Sequence, residues 1–206
     1  DYFVLSKGHG SGALYVVLEK NNFITQKDLD GYSSKESILG GHPDSTKVPG
    51  AEASTGSLGH GLPTAIGIAL GLKIRKMKNK VICLVGDGEC HEGTIWESAN
   101  IACNLNLGNL CVIVDWNGSA AQLMPKDDLF KKWSAFGWET SQISGHSNEE
   151  MTKLFSKLDF NFNSKPKVIL AKTTKGKGVS FIEGHGKWHH RIPNDIEMDK
   201  ILEELK

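Results

Sequence analysis

The chain has 206 residues, with 39% hydrophobic and 23% charged content, and its 24 Lys and Arg balance 24 Asp and Glu at a formal net charge of zero. That length holds one large domain or two small ones, with enough apolar sequence for an independent core. A neutral balance excludes nucleic acid or an anionic membrane as the main partner, so any anion must be held by a local cluster; no apolar run reaches the ~18 residues of a membrane span.

The opening Asp1-Tyr2-Phe3-Val4 has neither an initiator Met nor a signal-peptide pattern, so the native N-terminus is expected to precede residue 1. A helix is predicted over 63–78, carrying Ile66, Ala69, Leu70, Leu72 and Ile74. Its Gly67 and Gly71, four apart, are expected to let it approach a neighbour closely. Then come a strand over 81–85, a helix over 94–105 and a strand over 110–114. Pro125 suits the first turn of a helix over 125–136. A weaker strand follows Gly137 over 139–143, and Ser147 with Glu150 forms the capping-box pattern of a helix over 147–158. A last strand is predicted over 168–171. The continuous apolar character of Val81-Ile82-Cys83-Leu84-Val85 and Leu110-Cys111-Val112-Ile113-Val114 suggests strands covered on both faces. Strand and helix in alternation predict an α/β fold, a mostly parallel sheet with helices on both faces, in which ligands bind beyond the carboxyl ends of the strands.

The four cysteines, Cys83, Cys90, Cys103 and Cys111, include no C-x-x-C pair. Cys83 and Cys111 sit in apolar runs and read as small core residues, and such thiol usage suits a reducing cytoplasm rather than a disulfide or zinc framework. The aromatics Trp133, Phe136 and Trp138 read as packing residues. Glycines gather at 8–12, 40–41, 56–61, 86–88 and 176–186, between the periodic segments. Lys175-Gly176-Lys177-Gly178 lacks the spacing of a P-loop, and its lysines read as solvated charges. His60, His91, His146 and His190 have simple local readings as turn or surface residues.

Two turns stand out at strand ends. The 81–85 strand runs into Gly86-Asp87-Gly88 and the 110–114 strand into Asp115-Trp116-Asn117-Gly118, with one helix between. If the strands are neighbours, their ends lie about 5 Å apart and Asp87 and Asn117 face one volume. A carboxylate, an amide oxygen and nearby carbonyls are hard ligands that suit Mg²⁺, with Ca²⁺ as a substitute. Gly86 and Gly88 let backbone N–H groups approach an anion, and a helix starting near Gly93 adds its positive end.

The run from Gly86-Asp87-Gly88-Glu89-Cys90-His91-Glu92-Gly93 to Asn117 resembles the thiamine diphosphate motif, which begins Gly-Asp-Gly and ends about thirty residues later in Asn. Phe3-Val4-Leu5-Ser6-Lys7-Gly8-His9-Gly10, Gly41-His42-Pro43, Thr55-Gly56-Ser57-Leu58-Gly59-His60-Gly61 and Trp188-His189-His190-Arg191-Ile192-Pro193 are similar to transketolase segments, so the resemblance runs from about Phe3 to Pro193. It implies the thiamine diphosphate-binding fold, with 1–206 as a single diphosphate-binding domain. It implies Asp87, Asn117 and the main chain of Ser119 as metal ligands, and Gly56, Leu58, Gly86, Gly88, His9 and His189 beside the cofactor. His9, His42 and His189 are implied as catalytic or substrate-holding groups, and Glu92 as a link between active sites across a subunit interface. Apart from the family pattern, Glu92 reads as a helix N-terminal acid.

The implied activity is transfer of a two-carbon ketol unit from a ketose to an aldose. The implied partner is a C-terminal transketolase subunit that carries the pyrimidine-binding domain and its activating Glu, in an α2β2 assembly. Trp116 and His190 depart from the family pattern. The alternatives are another thiamine diphosphate enzyme, such as a deoxyxylulose-phosphate synthase or a 2-oxoacid dehydrogenase component, and a subunit that binds cofactor without turnover. The sugars themselves are not legible.

Overall fold

A computed structural model describes residues 1–122, 124–184, 186–189 and 191–206. Five segments pair into one sheet: β1 (Tyr2–Leu5), β2 (Val81–Gly86), β3 (Leu110–Trp116), β4 (Glu139–Ser144) and β5 (Lys167–Lys172), in the order β1-β2-β3-β5-β4. Every pairing is parallel, so each chain reversal is made by a crossover outside the sheet. The helices are α1 (Ser11–Lys20), α2 (Gln26–Asp30), α3 (Gly61–Ile74), α4 (Gly93–Asn104), α5 (Leu129–Ala135), α6 (Asn148–Phe155) and α7 (Asp195–Glu204). The α/β parallel architecture expected from the alternation is what the chain adopts.

The main core lies between the sheet and α3 to α5. Val81, Cys83 and Val85 of β2, Leu110, Val112 and Val114 of β3, and Leu170 of β5 are buried there with Leu62, Ala65 and Ala69 of α3, Ile95 and Ala99 of α4, and Trp133 of α5. Each fully buried aliphatic side chain contributes about 1.5–3 kcal/mol. Trp133 and Trp138 stack edge to face at 4.8 Å, and the Trp138 indole donates to the Ala99 carbonyl at 2.9 Å; both pack as the sequence suggests. Ile82, Leu84 and Ile113, which alternate onto the other face, are only half-buried. A second, smaller core joins α1 to the 21–51 segment through Tyr15, Leu18, Ile24, Leu39 and Val48.

Several element boundaries differ from the sequence reading. The helix predicted over 63–78 begins at Gly61 and ends at Ile74. Lys76 adopts φ +55° and Met77 N–H returns to the Leu72 carbonyl at 2.9 Å, a Schellman closure without glycine. Within this chain Gly67 and Gly71 serve no close approach among the described residues, because a Cβ on either would meet nothing within 4 Å. Pro125 stays outside α5, whose cap is Asp128 accepting from Lys131 N–H. Ser147 caps α6 as expected, but the Glu150 carboxylate turns to Ser144 N–H at 2.8 Å instead of completing the box. The strand β1 and the helices α1, α2 and α7 have no counterpart among the predicted elements. Among the described residues, no helix is long and apolar enough to cross a membrane.

Candidate active site

The register sets the site. Gly86 pairs with Asp115 across β2 and β3, and Asp87 N–H donates to the Asp115 carbonyl at 3.2 Å. The two turns singled out in the sequence therefore lie side by side at the carboxyl edge. They open into a cleft of about 370 Å³. Gly86, Asp87, Gly88, Asn117 and Ser119 line its floor, and His9, Leu58 and His189 complete the walls, together with Lys7 and Lys175. A depression of about 400 Å³ over β4 and β5 has mainly exposed polar side chains such as Gln142 and Lys172. It gathers none of the histidines or turn residues that converge on the first cleft, and its one histidine is His146.

His9 stands at the centre of three imidazoles. Its ring centroid is 4.9 Å from that of His42 and 6.0 Å from that of His189. His42 and Gly56 sit beside His9 and do not line the cleft directly. Glycine is needed at positions 8 and 56 for this packing. A Cβ on Gly8 would lie 2.8 Å from both Gly56 Cα and His42 Cδ2, and Gly56 adopts φ +148° with its Cβ position 3.0 Å from His42 Cγ. The small core fixes the His42 loop from behind. Tyr15 Oη shares its proton between the Gly40 and His42 carbonyls at 2.9 and 3.1 Å, and Ser11 Oγ donates to Gly41 O at 2.9 Å.

Glu92 lies outside the cleft. Its side chain is exposed at the N-cap of α4 without a capping hydrogen bond, and a Cβ on Gly59 would lie 2.8 Å from its Cβ. His60, His91 and His146 have local partners, as the simple readings expect. His60 Nδ1 donates to Leu58 O at 3.0 Å, His91 faces the Asp127 carboxylate at 3.8 Å, and His146 Nε2 accepts from Thr174 N–H at 2.8 Å. His190 lies outside the described residues. Trp116 packs its ring on the main core, while Asp115 and Asn117, one residue either side, turn the other way as strand alternation requires.

The donor set fits a hard cation. Asp87 is 4% exposed; its Oδ1 accepts from Gly88 N–H at 2.8 Å, whereas its buried Oδ2 has no hydrogen-bond partner. A buried carboxylate oxygen without a donor is costly, and a bound cation relieves that cost. Asn117 Oδ1 caps Ser119 N–H at 3.0 Å, and its Nδ2 donates to Asp115 Oδ2 at 3.1 Å, so the amide is held with its oxygen toward the 117–119 turn. Among the described residues no group of three or more His, Cys, Asp or Glu gathers around one point.

Beside Asp87 and Asn117 lies an electrostatic network that sequence reasoning missed. Asp115 accepts from Lys7 Nζ, Thr173 Oγ1 and Asn117 Nδ2. Burial alone would raise its carboxyl, but these donors outweigh burial and hold it below the usual aspartate range. Lys175, read from the sequence as a solvated charge, lies in the cleft wall with its Nζ 2.6 Å from His189 Nδ1. Burial first, and the Lys7 charge second, push the Lys175 ammonium below its ordinary range. Donation by Lys175 to Nδ1 means that a neutral His189 ring carries its proton on Nε2. Two cations and two histidines thus line a cavity with a buried carboxylate in its floor, an arrangement suited to a metal-bound diphosphate; the N–H groups of Gly86 and Gly88, expected from the sequence to face an anion, donate instead to Glu89 Oε2 and Asp87 Oδ1. Lys177, by contrast, is a surface residue paired with Glu183 at 3.3 Å.

The family profile described as "Transketolase, thiamine diphosphate binding domain" matches residues 1–203. The chain is 42% identical over 211 aligned positions to one subunit of the apulose-4-phosphate transketolase of Actinobacillus succinogenes, covering all of this chain and 76% of that protein. It is 37% identical to the transketolase of Homo sapiens, again along its whole length but over 33% of that longer protein. Among solved structures, the transketolase of Campylobacter jejuni superposes with a TM-score of 0.91 at 30% identity, and the match covers all of this chain and 34% of that one. The chain thus spans about three quarters of the Actinobacillus succinogenes protein and about a third of the single-chain transketolases.

Proposed function

Because this chain belongs to the transketolase thiamine diphosphate-binding family, we propose that it is the diphosphate-binding subunit of a split transketolase that moves a two-carbon ketol unit from a ketose to an aldose. The observation that carries the proposal is the buried, partnerless Asp87 Oδ2 in one cleft with Asn117, Lys7, Lys175, His9 and His189, with His42 packed behind His9. Residues 1–206 act as one diphosphate-binding domain. Asp87, Asn117 and the Ser119 carbonyl hold Mg²⁺, and Gly86 and Gly88 bring the main chain to the diphosphate. Lys7 and Lys175 offset its charge, and Leu58 packs on the thiazolium.

When bound, thiamine diphosphate supplies the carbanion and electron sink for breaking and forming the C–C bond. The chain's own residues bind and move protons. His9, which lines the cleft beside His42, would contact the diphosphate, and His189, with its proton on Nε2, would donate to substrate oxygen or to the oxyanion that develops there. His42, held by Tyr15 through its own carbonyl, orients the sugar. Glu92 links the active sites across a subunit interface; its exposure and its lack of a capping hydrogen bond support that reading.

The companion is a second subunit with the pyrimidine-binding domain and the activating Glu. The Actinobacillus succinogenes relative is itself named as one of the subunits of a transketolase, which supports a divided enzyme. An α2β2 assembly in the cytoplasm completes the proposal. The test is a coupled assay of the chain alone, of the companion alone and of the mixture, over a set of ketose donors and aldose acceptors. Activity is expected only in the mixture. Full turnover by this chain alone would refute the split arrangement, and a mixture that binds cofactor but transfers nothing would refute the enzymatic reading.

A further inference from the structure

Glu89, two residues beyond Asp87, is assigned no role by the motif, yet it is among the most buried charged residues, at 2% exposure. Its carboxylate accepts three hydrogen bonds from three separate parts of the chain. Oε1 takes Ser6 Oγ–H at 2.5 Å and Gly59 N–H at 2.9 Å, and Oε2 takes Gly86 N–H at 3.1 Å. A buried carboxylate needs such donors to persist, and bonds to an ionised acceptor are stronger than neutral ones.

The donors are not scattered. Ser6 follows β1 and leads into Lys7 and His9. Gly59 follows Leu58, whose side chain lines the cleft. Gly86 immediately precedes Asp87. The 55–61 loop is pressed against this point: Gly59 adopts φ +81°, and a Cβ on Gly61 would lie 2.5 Å from Ser6 Cα. One buried anion thus ties the wall that carries Leu58 to the floor that carries Asp87.

We infer that Glu89 is a positioning residue that fixes the span between the Leu58 wall and the diphosphate floor, so that the cleft grips a ligand carrying both a diphosphate and an apolar ring more tightly than a diphosphate alone. This rests on the proposed cofactor. Glutamine at 89 keeps the shape but has one accepting oxygen, so at least one of the three donors faces an NH2 group. Whichever bond is lost, wall and floor are no longer held at a set distance, and Leu58 loses its advantage.

The test uses calorimetry on the chain, alone and with its companion subunit, with Mg²⁺-thiamine diphosphate and Mg²⁺-pyrophosphate as probes. Glu89→Gln is expected to weaken thiamine diphosphate binding tenfold or more and pyrophosphate binding by less than threefold. Leu58→Ala should weaken thiamine diphosphate binding in the native background and add less than half that factor in Glu89→Gln. Ser6→Ala, which leaves two backbone donors on the carboxylate, should show the same pattern at smaller amplitude if Glu89→Gln fails to fold. Losses that simply multiply, or equal losses for both probes, would overturn the inference and leave Glu89 a packing residue. Failure of the native protein to bind thiamine diphosphate, alone or with its companion, would instead overturn the cofactor assignment on which it rests.

Discussion

Replacing Asp115 by Asn removes one negative charge and keeps the side chain's shape. The carboxylate accepts from Lys7 Nζ, Thr173 Oγ1 and Asn117 Nδ2; an amide would turn its NH2 toward at least one of these donors. Breaking a fully buried ion pair by removing one partner costs about 3–5 kcal/mol, whereas exposed pairs are worth about 0–1 kcal/mol. The side chains of Lys7 and Asp115 are 29% and 20% exposed, so solvent screening places the loss between these limits, at about 2 kcal/mol. For a chain of this length that is a fall in Tm of about 4–8 °C. Asn117 also loses the acceptor that orients its amide, and a roughly tenfold loss of Mg²⁺-pyrophosphate affinity, about 1.4 kcal/mol, is expected. The sign of the pH dependence follows from the lowered Asp115 value. A carboxyl with a depressed folded-state pKa adds stability above the unfolded value of 3.8, and that stability is lost as pH falls through the folded value. Urea unfolding of both proteins at about pH 7 and about pH 3 reads this directly. The gap between them should be present at the higher pH and shrink at the lower. A gap that is the same at both, or absent at neutral pH, would refute the network as an energetic unit.

Asp87→Ala removes the partnerless oxygen, so it should change the unfolding free energy of the metal-free chain by no more than about 1 kcal/mol while abolishing Mg²⁺-dependent cofactor binding; unchanged affinity in calorimetry would remove the metal site. Because burial and Lys7 depress the Lys175 ammonium, binding of an anionic diphosphate should draw a proton onto it. At pH values below the ordinary lysine value of 10.5, the binding enthalpy of Mg²⁺-pyrophosphate should vary with buffer ionisation enthalpy in the sense of proton uptake, and Lys175→Met should abolish the variation. Tyr15→Phe leaves the Gly40 and His42 carbonyls without their donor, so it should cost about 1 kcal/mol of stability in a thermal melt and raise the KM for sugar more than it lowers kcat. Burial raises the Tyr15 phenol, which stabilises the fold fully below its ordinary value of 10.0 and is lost as pH rises beyond it. The native chain should therefore weaken on entering that alkaline range more steeply than Tyr15→Phe does, and equal slopes would show that the hydroxyl is not buried.

The sequence alone determined the parallel pairing of β2 with β3 and the edge at which they end. Val81 to Val85 and Leu110 to Val114 have no polar alternation, which marks them as inner strands, although Ile82, Leu84 and Ile113 are only half-buried on the second face; a single intervening helix makes their pairing parallel. Parallel neighbours of similar length end together, which placed the turns at Asp87 and Asn117 next to each other before any coordinates. Tertiary structure alone decided the charges around them. Lys7, Asp115, Thr173 and Lys175 are separated by up to 168 positions of chain, and no local pattern distinguishes a lysine that enters a cleft from one that stays in water, as Lys175 and Lys177 illustrate. Glu89 looks in sequence like one more acid at the start of a helical turn; only its burial against Ser6, Gly59 and Gly86 makes it a tie between segments. Local periodicity reports which faces are apolar. Which distant donors meet a buried carboxylate depends on how the crossovers return, and that is settled only when the whole chain has packed.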